Sequence, residues 1–248
     1  VSLVFGKLSE PHQQLPWEQC MPVKIIFKFA PKTIISAGAI IALLMSCAGS
    51  DVNDTTNLMP VTISNVQDRM PKNNDSGKPI IALVLGGGGL RGYAHVGVLK
   101  SLHEAGIKFD MVVGTSVGSV IGAAYASGLS PQKIEDLAQE VDLTSLIDFT
   151  FSKSGIMRGI AIEDWLNSIT DGVPMEQFPI QFAAIATDLH SENAVMLSTG
   201  LAGSAVRASS AVPGVTVPVP YNDGYLIDGG VTSLIPVRFA RALGADVV

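Results

Sequence analysis

Residues 111–118 read Met-Val-Val-Gly-Thr-Ser-Val-Gly, and this short stretch decides the fold class. The apolar residues at its start predict a buried strand, and the small residues at 116–127 predict a helix. Gly-Thr-Ser-Val-Gly between them has the pattern of a nucleophile elbow, the sharp strand-to-helix turn that presents a serine hydroxyl. Gly114 and Gly118 flank Ser116 where larger side chains would collide. Ser116 is therefore the candidate nucleophile, although a glycine-rich βα turn without catalysis has the same pattern.

The elements around this turn alternate between strands and helices. A helix is predicted at about residues 91–105, and Pro131 begins another helix after the elbow. Further strands are predicted at 80–85, 181–187 and 225–227. Alternation with short connections predicts an α/β fold with a mostly parallel sheet covered on both faces. Residues 245–248 are expected to begin one more strand, which the end of the sequence cuts short.

A second glycine-rich turn follows the first predicted strand. Residues 86–92 read Gly-Gly-Gly-Gly-Leu-Arg-Gly and contain the G-x-G-x-x-G fingerprint of dinucleotide-binding oxidoreductases. That alternative needs an acid at the carboxyl end of the second strand, whereas Asp110 stands at its beginning. Both glycine turns are instead expected at one edge of the sheet, where the amides of Gly87, Gly88 and Gly89 would form an oxyanion hole. Arg91 is expected to hold the shape of this loop or to contact an anionic substrate. The alternative is that Arg91 is a solvated residue of the first helical turn.

A carboxylate near the end of the chain is the candidate base. Asp228 follows the strand predicted at 225–227 and precedes Gly229 and Gly230. A catalytic acid on a loop has this position, and so does an ordinary Asp-Gly-Gly turn. No histidine follows Asp228 in the sequence, so the Ser, acid, His order of an α/β-hydrolase triad is not met. A lone helical histidine such as His95 is more often packed or solvated than catalytic.

Three motifs in order, residues 87–92, 114–118 and 228–230, resemble the patatin-like phospholipase family. Residues 94–99 and 207–214 are also similar to its bacterial members. The resemblance covers about residues 79–248 and implies a three-layer α/β/α fold with no metal or cofactor. It implies a Ser116–Asp228 dyad without histidine that hydrolyses acyl esters of phospholipids, lysophospholipids or related lipids. The supporting motif residues are Arg91, Gly92, Gly114, Gly118, Gly229 and Gly230.

The N-terminal residues are predicted to direct export. After an upstream extension at 1–20, residues 21–46 have the basic start and short apolar run of a secretory signal. Leu-Met-Ser-Cys at 44–47 resembles a bacterial lipobox, so Cys47 is expected to carry a lipid anchor, with an ordinary signal peptide as the alternative. Residues 47–78 are predicted to form a polar tether. The expected location is that of an exported lipoprotein anchored in a membrane, with the outer membrane as the favoured destination.

Composition limits the remaining classes of function. Hydrophobic residues make up 47% of the chain, which is enough to fill a core and argues against disorder. A net charge of −6 argues against a nucleic-acid partner. The two cysteines form no C-x-x-C pair, so the sequence gives no support for a zinc site. A catalytically silent, membrane-tethered interaction module remains the alternative to an enzyme, and the oligomeric state is left open.

Overall fold

A mixed sheet of seven strands forms the centre of the computed structural model, which describes residues 57–69, 77–150, 152–222 and 224–248. The strands are β1 (Val61–Thr62), β2 (Ala82–Leu85), β3 (Met111–Thr115), β4 (Gln181–Asp188), β5 (Ala194–Leu197), β6 (Val219–Tyr221) and β7 (Gly224–Asp228). Their order is β1-β5-β4-β3-β2, with β7 beside β4 and β6 beside β7. Strands β2, β3 and β4 pair in parallel, and the named ladders that involve β1, β5, β6 and β7 are antiparallel.

Helices cover both faces of this sheet. They are α1 (Tyr93–Glu104), α2 (Val117–Ala126), α3 (Pro131–Glu140), α4 (Ile160–Ile169), α5 (Ala202–Ser209), α6 (Gly230–Ser233) and α7 (Val237–Ala242). Successive strand residues point to opposite faces, so Val112 packs in a larger core with helices α1 to α5. Its neighbours Met111 and Val113 pack in a smaller core with α7. The predicted three-layer α/β/α fold is confirmed.

The strands and helices predicted around the elbow are present. The expected strands at 80–85, 181–187 and 225–227 correspond to β2, β4 and β7, and Pro131 begins α3. Near the end of the chain, Val247 forms an isolated parallel bridge with Ile81 just before β2.

Part of the segment predicted as a polar tether packs against the sheet. Val61–Thr62 pairs with β5, and the 3₁₀ segment Ile63–Arg69 follows it. Leu58 is buried in the larger core and Val66 in the smaller one, because burying these apolar side chains outweighs the polar character of their neighbours. Residues 57–69 therefore belong to the packed domain.

The remaining N-terminal predictions concern residues outside the described part of the chain. These are the upstream extension, the signal segment, Cys47 and the rest of the tether. Among the helices of the described residues, none has both the length and the apolar character needed to cross a bilayer.

Candidate active site

Strand β4 brings the two predicted catalytic residues together. Strands β3 and β7 pair with successive parts of one edge of β4, so that their carboxyl ends meet. Thr115 at the end of β3 lies opposite Ile185. Asp228 at the end of β7 lies opposite Ala186, the next residue of β4. Ser116 therefore lies beside Asp228, and its Oγ donates a hydrogen bond of 2.7 Å to Asp228 Oδ2.

The backbone at Ser116 has the strained conformation that an elbow requires. Its φ of 53° and ψ of −128° are rare for a residue with a side chain. The Ser116 N–H donates to Ser209 Oγ at 2.9 Å, and Ser209 Oγ donates to the Ile185 carbonyl at 2.6 Å. This buried chain of hydrogen bonds fixes the turn to β4 and offsets a strain of about 1–3 kcal/mol.

Glycines surround the elbow because the backbone approaches too closely for a side chain. A Cβ on Gly118 would lie 2.2 Å from the Leu85 carbonyl oxygen, and one on Gly114 would lie 2.5 Å from the carbonyl oxygen of Gly118. Two more motif glycines also leave no room for a side chain, one against a neighbouring side chain and one against backbone. A Cβ on Gly92 would meet Val117 Cγ2 at 2.1 Å, and one on Gly229 would meet the Ile185 carbonyl oxygen at 2.1 Å.

Asp228 is held as a buried carboxylate. Only 6% of its surface is exposed, and burial raises its pKa above the ordinary value for aspartate. Hydrogen bonds from the Ser116 hydroxyl and from the Gly230 N–H, which lies 2.6 Å from Oδ1, oppose part of this shift. A carboxylate with a raised pKa accepts a proton more readily than an exposed one.

The glycine-rich loop lies beside Ser116, and the three amides predicted for an oxyanion hole differ in their hydrogen bonds. The Gly87 N–H donates to the Leu234 carbonyl at 3.0 Å, so this amide already has an acceptor, and its predicted place in an oxyanion hole stays a prediction. Gly88 and Gly89 have φ values of 155° and 57°, which favour glycine. Within the described residues, their N–H groups donate to no backbone or side-chain acceptor. Arg91 is exposed just beyond them, so its side chain is solvated.

Three contacts at the site were not predicted. Ser209 supports the elbow, Leu234 engages the loop, and His95 Nε2 lies 2.9 Å from the Gly86 carbonyl oxygen. The sequence signals for Ser209 and His95 are the family-like stretches 207–214 and 94–99 that contain them, while nothing around Leu234 marks it. The other histidines of the described chain, His103 and His190, are exposed. No cluster of three metal-ligating side chains occurs in the ranges that the structure describes.

An apolar cavity of about 610 Å³ opens at Ser116. Its walls come from the glycine loop, helices α1 to α4, the segment between α3 and α4, and the segment that follows α5. Apolar side chains dominate them, among them Val96, Ile121, Leu146, Met157 and Trp165. Cavities of this size hold ligands of small-molecule dimensions.

The fold and site together define an α/β protein with a nucleophile elbow and a buried Ser–Asp pair. The sequence model for patatin-like phospholipases matches residues 83–241. The chain belongs to this family, as the resemblance in its motifs predicts.

Similar proteins agree with this family assignment. An uncharacterized NTE family protein of Mycobacterium tuberculosis is 35% identical over 178 residues, which cover 69% of this chain and 48% of that protein. Human patatin-like phospholipase domain-containing protein 6 is 35% identical over 68% of this chain and 13% of its own length. The crystal structure of VipD from Legionella pneumophila matches the fold with a TM-score of 0.50 and 16% identity, over 76% of this chain and 52% of that one. The chain thus spans about half the length of the mycobacterial relative.

Proposed function

We propose that this protein hydrolyses carboxylic esters of lipids, with Ser116 as the nucleophile and Asp228 as the base. The observation that carries this proposal is the 2.7 Å hydrogen bond between the two side chains at an apolar cavity. Family membership supports a lipid ester as the substrate. The proposal includes the expected dyad mechanism, in which no histidine takes part.

In the acylation step, Asp228 accepts the hydroxyl proton while Ser116 Oγ attacks the ester carbonyl carbon. The oxyanion that forms is stabilised by the N–H groups of Gly88 and Gly89 and by the positive end of α2, which begins directly after Ser116. Collapse of this intermediate breaks the ester C–O bond. The leaving alcohol takes the proton from Asp228, so an acyl-serine and a free alcohol result.

In the deacylation step, water attacks the acyl-serine carbonyl and gives its proton to Asp228. The same amides stabilise the second oxyanion. When the C–O bond to Ser116 breaks, the proton returns to Ser116 Oγ and the fatty acid leaves. The raised pKa of Asp228 supports both transfers, because its carboxylate is a stronger base than an exposed aspartate.

The cavity supports an acyl chain as the part of the substrate that is bound. Its apolar walls offer transfer free energy of about 0.8 kcal/mol for each buried methylene. Exposed apolar side chains line its opening, which suits a substrate taken from a lipid phase. These side chains are Leu90, Tyr93, Leu143, Ile147, Val212 and Val215. Phospholipids, lysophospholipids and related lipids therefore remain the substrate classes to compare, with head group and acyl length open.

The test compares wild type with Ser116→Ala on p-nitrophenyl butyrate, lysophospholipid and diacyl phospholipid. Ser116→Ala should melt like wild type and lose turnover, whereas His103→Ala and His190→Ala should keep it. Wild type should also be labelled by a fluorophosphonate serine probe, and Ser116→Ala should not. A wild type that neither turns over these esters nor reacts with the probe would favour the silent interaction module.

The location is a separate proposal. We propose that Cys47 carries lipid and anchors the protein in a membrane, on the basis of the lipobox-like residues 44–47. Two or more acyl chains hold a protein firmly on a bilayer, whereas one binds only weakly. Full-length protein expressed in a bacterial host should enter the detergent phase of Triton X-114, and Cys47→Ala should not. Both forms in the aqueous phase would leave an ordinary signal peptide as the better interpretation.

A further inference from the structure

The peptide unit between Gly86 and Gly87 is held at both of its polar atoms. The Gly86 carbonyl oxygen lies 2.9 Å from His95 Nε2, and the Gly87 N–H donates to the Leu234 carbonyl at 3.0 Å. A carbonyl oxygen only accepts hydrogen bonds, so His95 Nε2 carries the hydrogen in this contact. The C=O and N–H of a trans peptide point in opposite directions, so the two partners hold the unit from opposite sides.

We propose that His95 is a positioning residue for the oxyanion hole. This inference rests on the proposed hydrolase function and assigns a role to a side chain outside the dyad. Four consecutive glycines, 86–89, have many accessible backbone conformations, and only some direct the amides of Gly88 and Gly89 toward a reacting carbonyl. Fixing the first peptide unit of this run restricts the two units that follow it.

The position of His95 in the fold suits this role. It lies in the first turn of α1 and is partly buried. Because α1 follows directly on the glycine loop, the hydrogen bond closes a short ring of chain from Gly86 to His95. Gly92, which lies within this ring, packs closely against Val117 of α2, so the ring is also held against the helix that follows Ser116.

The hydrogen bonds of His95 and Ser116 distinguish this positioning role from the role of a catalytic base. The hydrogen bond from His95 goes to a loop carbonyl, whereas the Ser116 hydroxyl donates to Asp228. His95 therefore acts on the geometry of the amides and takes no proton from the nucleophile. Its loss is expected to weaken stabilisation of the transition state and to leave binding of the acyl chain intact.

The experiment compares His95→Ala and His95→Gln with wild type, and uses His103→Ala on the same helix as the control. For p-nitrophenyl butyrate, His95→Ala should lower kcat by about 10- to 100-fold with KM unchanged, which is less than the loss of about 100- to 1000-fold caused by removing a whole oxyanion-hole donor. His95→Gln should recover most of this loss, because its side-chain amide can donate to the Gly86 carbonyl. His103→Ala should match wild type.

Hydrogen exchange gives a second readout that does not depend on turnover. Exchange of the amides in residues 86–92 should accelerate in His95→Ala and return toward wild type in His95→Gln, with equal melting temperatures. The inference is overturned if His95→Ala keeps the wild-type kcat, if only KM rises, or if His95→Gln is as impaired as His95→Ala. Failure of the proposed function is recognised separately, because wild type and Ser116→Ala would then be equally inactive.

Discussion

Gly118→Ala tests how closely the elbow and the glycine loop depend on each other. The added Cβ would lie 2.2 Å from the Leu85 carbonyl oxygen and 2.6 Å from that of Gly86. Carbon and carbonyl oxygen normally approach to about 3.3 Å, so the two backbone segments must separate by about 1 Å. Both neighbours are backbone atoms, so no side chain can rotate to make room.

That separation moves Ser116 away from the amides that stabilise the oxyanion. A misplacement of about 1 Å in reacting groups can lower the rate by about 100-fold. Overpacking should also lower the free energy of unfolding by about 1–3 kcal/mol. We therefore expect kcat/KM to fall by about two orders of magnitude, with a folded protein that melts several degrees below wild type.

Gly97→Ala is the matched control for this substitution. Gly97 lies in α1 and is exposed, and an added Cβ would have no atom within 4 Å apart from its chain neighbours and the backbone of its own helix. Alanine in a helix is more stable than glycine by about 1 kcal/mol, so this variant should melt slightly higher and keep full activity. Esterase assays and thermal melts of both variants check the prediction. A Gly118→Ala enzyme with wild-type kcat/KM and an unchanged melting temperature would refute the close approach at the elbow.

Three further predictions concern the base, the cavity and the support of the elbow. Asp228→Asn should abolish turnover yet melt no lower than wild type at pH 7, because it removes a buried charge whose folded-state pKa is raised. In wild type, the charge on Asp228 destabilises the folded state at a pH above the raised pKa. This destabilisation is gone at a pH below the ordinary pKa of aspartate. The difference in melting temperature between Asp228→Asn and wild type should therefore shrink in acid. An Asp228→Asn protein that melts below wild type at pH 7 would contradict the prediction. Val120→Trp, one turn after Ser116 in the cavity wall, should reduce kcat/KM for a palmitoyl ester more than for a butyryl ester, and equal losses would count against an acyl site. Ser209→Ala should lower the free energy of unfolding by about 1–3 kcal/mol, because two buried backbone groups lose their partner, and calorimetry should detect this.

The elements next to the elbow could be predicted from the sequence because their signals are local. A short apolar run, a turn that tolerates only glycine, and a helix of small residues stand in direct succession at 111–127. Steric demands within this stretch determine its residue types, as the contact between Gly118 and Leu85 illustrates. The strand followed by Asp-Gly-Gly also marks Asp228 locally, but an ordinary turn has the same pattern. The prediction that Asp228 pairs with Ser116 therefore depended on the family resemblance.

The features that escaped prediction depend on contacts between distant parts of the chain. Nothing near Gly87 in the sequence indicates that the carbonyl of Leu234, far along the chain, accepts its amide hydrogen. The packing of residues 57–69 against the sheet was not predicted from the sequence for a related reason. Leu58 and Val66 stand in a polar stretch without periodicity, and their burial depends on surfaces that form only when the sheet is complete.

The Ile185–Ala186 segment of β4 links the parts of the site, although neither side chain takes part in the proposed chemistry. Ile185 pairs with Thr115 before the nucleophile, and its carbonyl accepts the hydrogen bond from Ser209. Ala186 pairs with Asp228. Both residues are buried, so this strand cannot shift its register by one residue without placing Ile185 on the wrong face of the sheet. The same burial that stabilises β4 therefore fixes the distance between Ser116 and Asp228, which explains how residues so far apart in the chain meet at hydrogen-bonding distance.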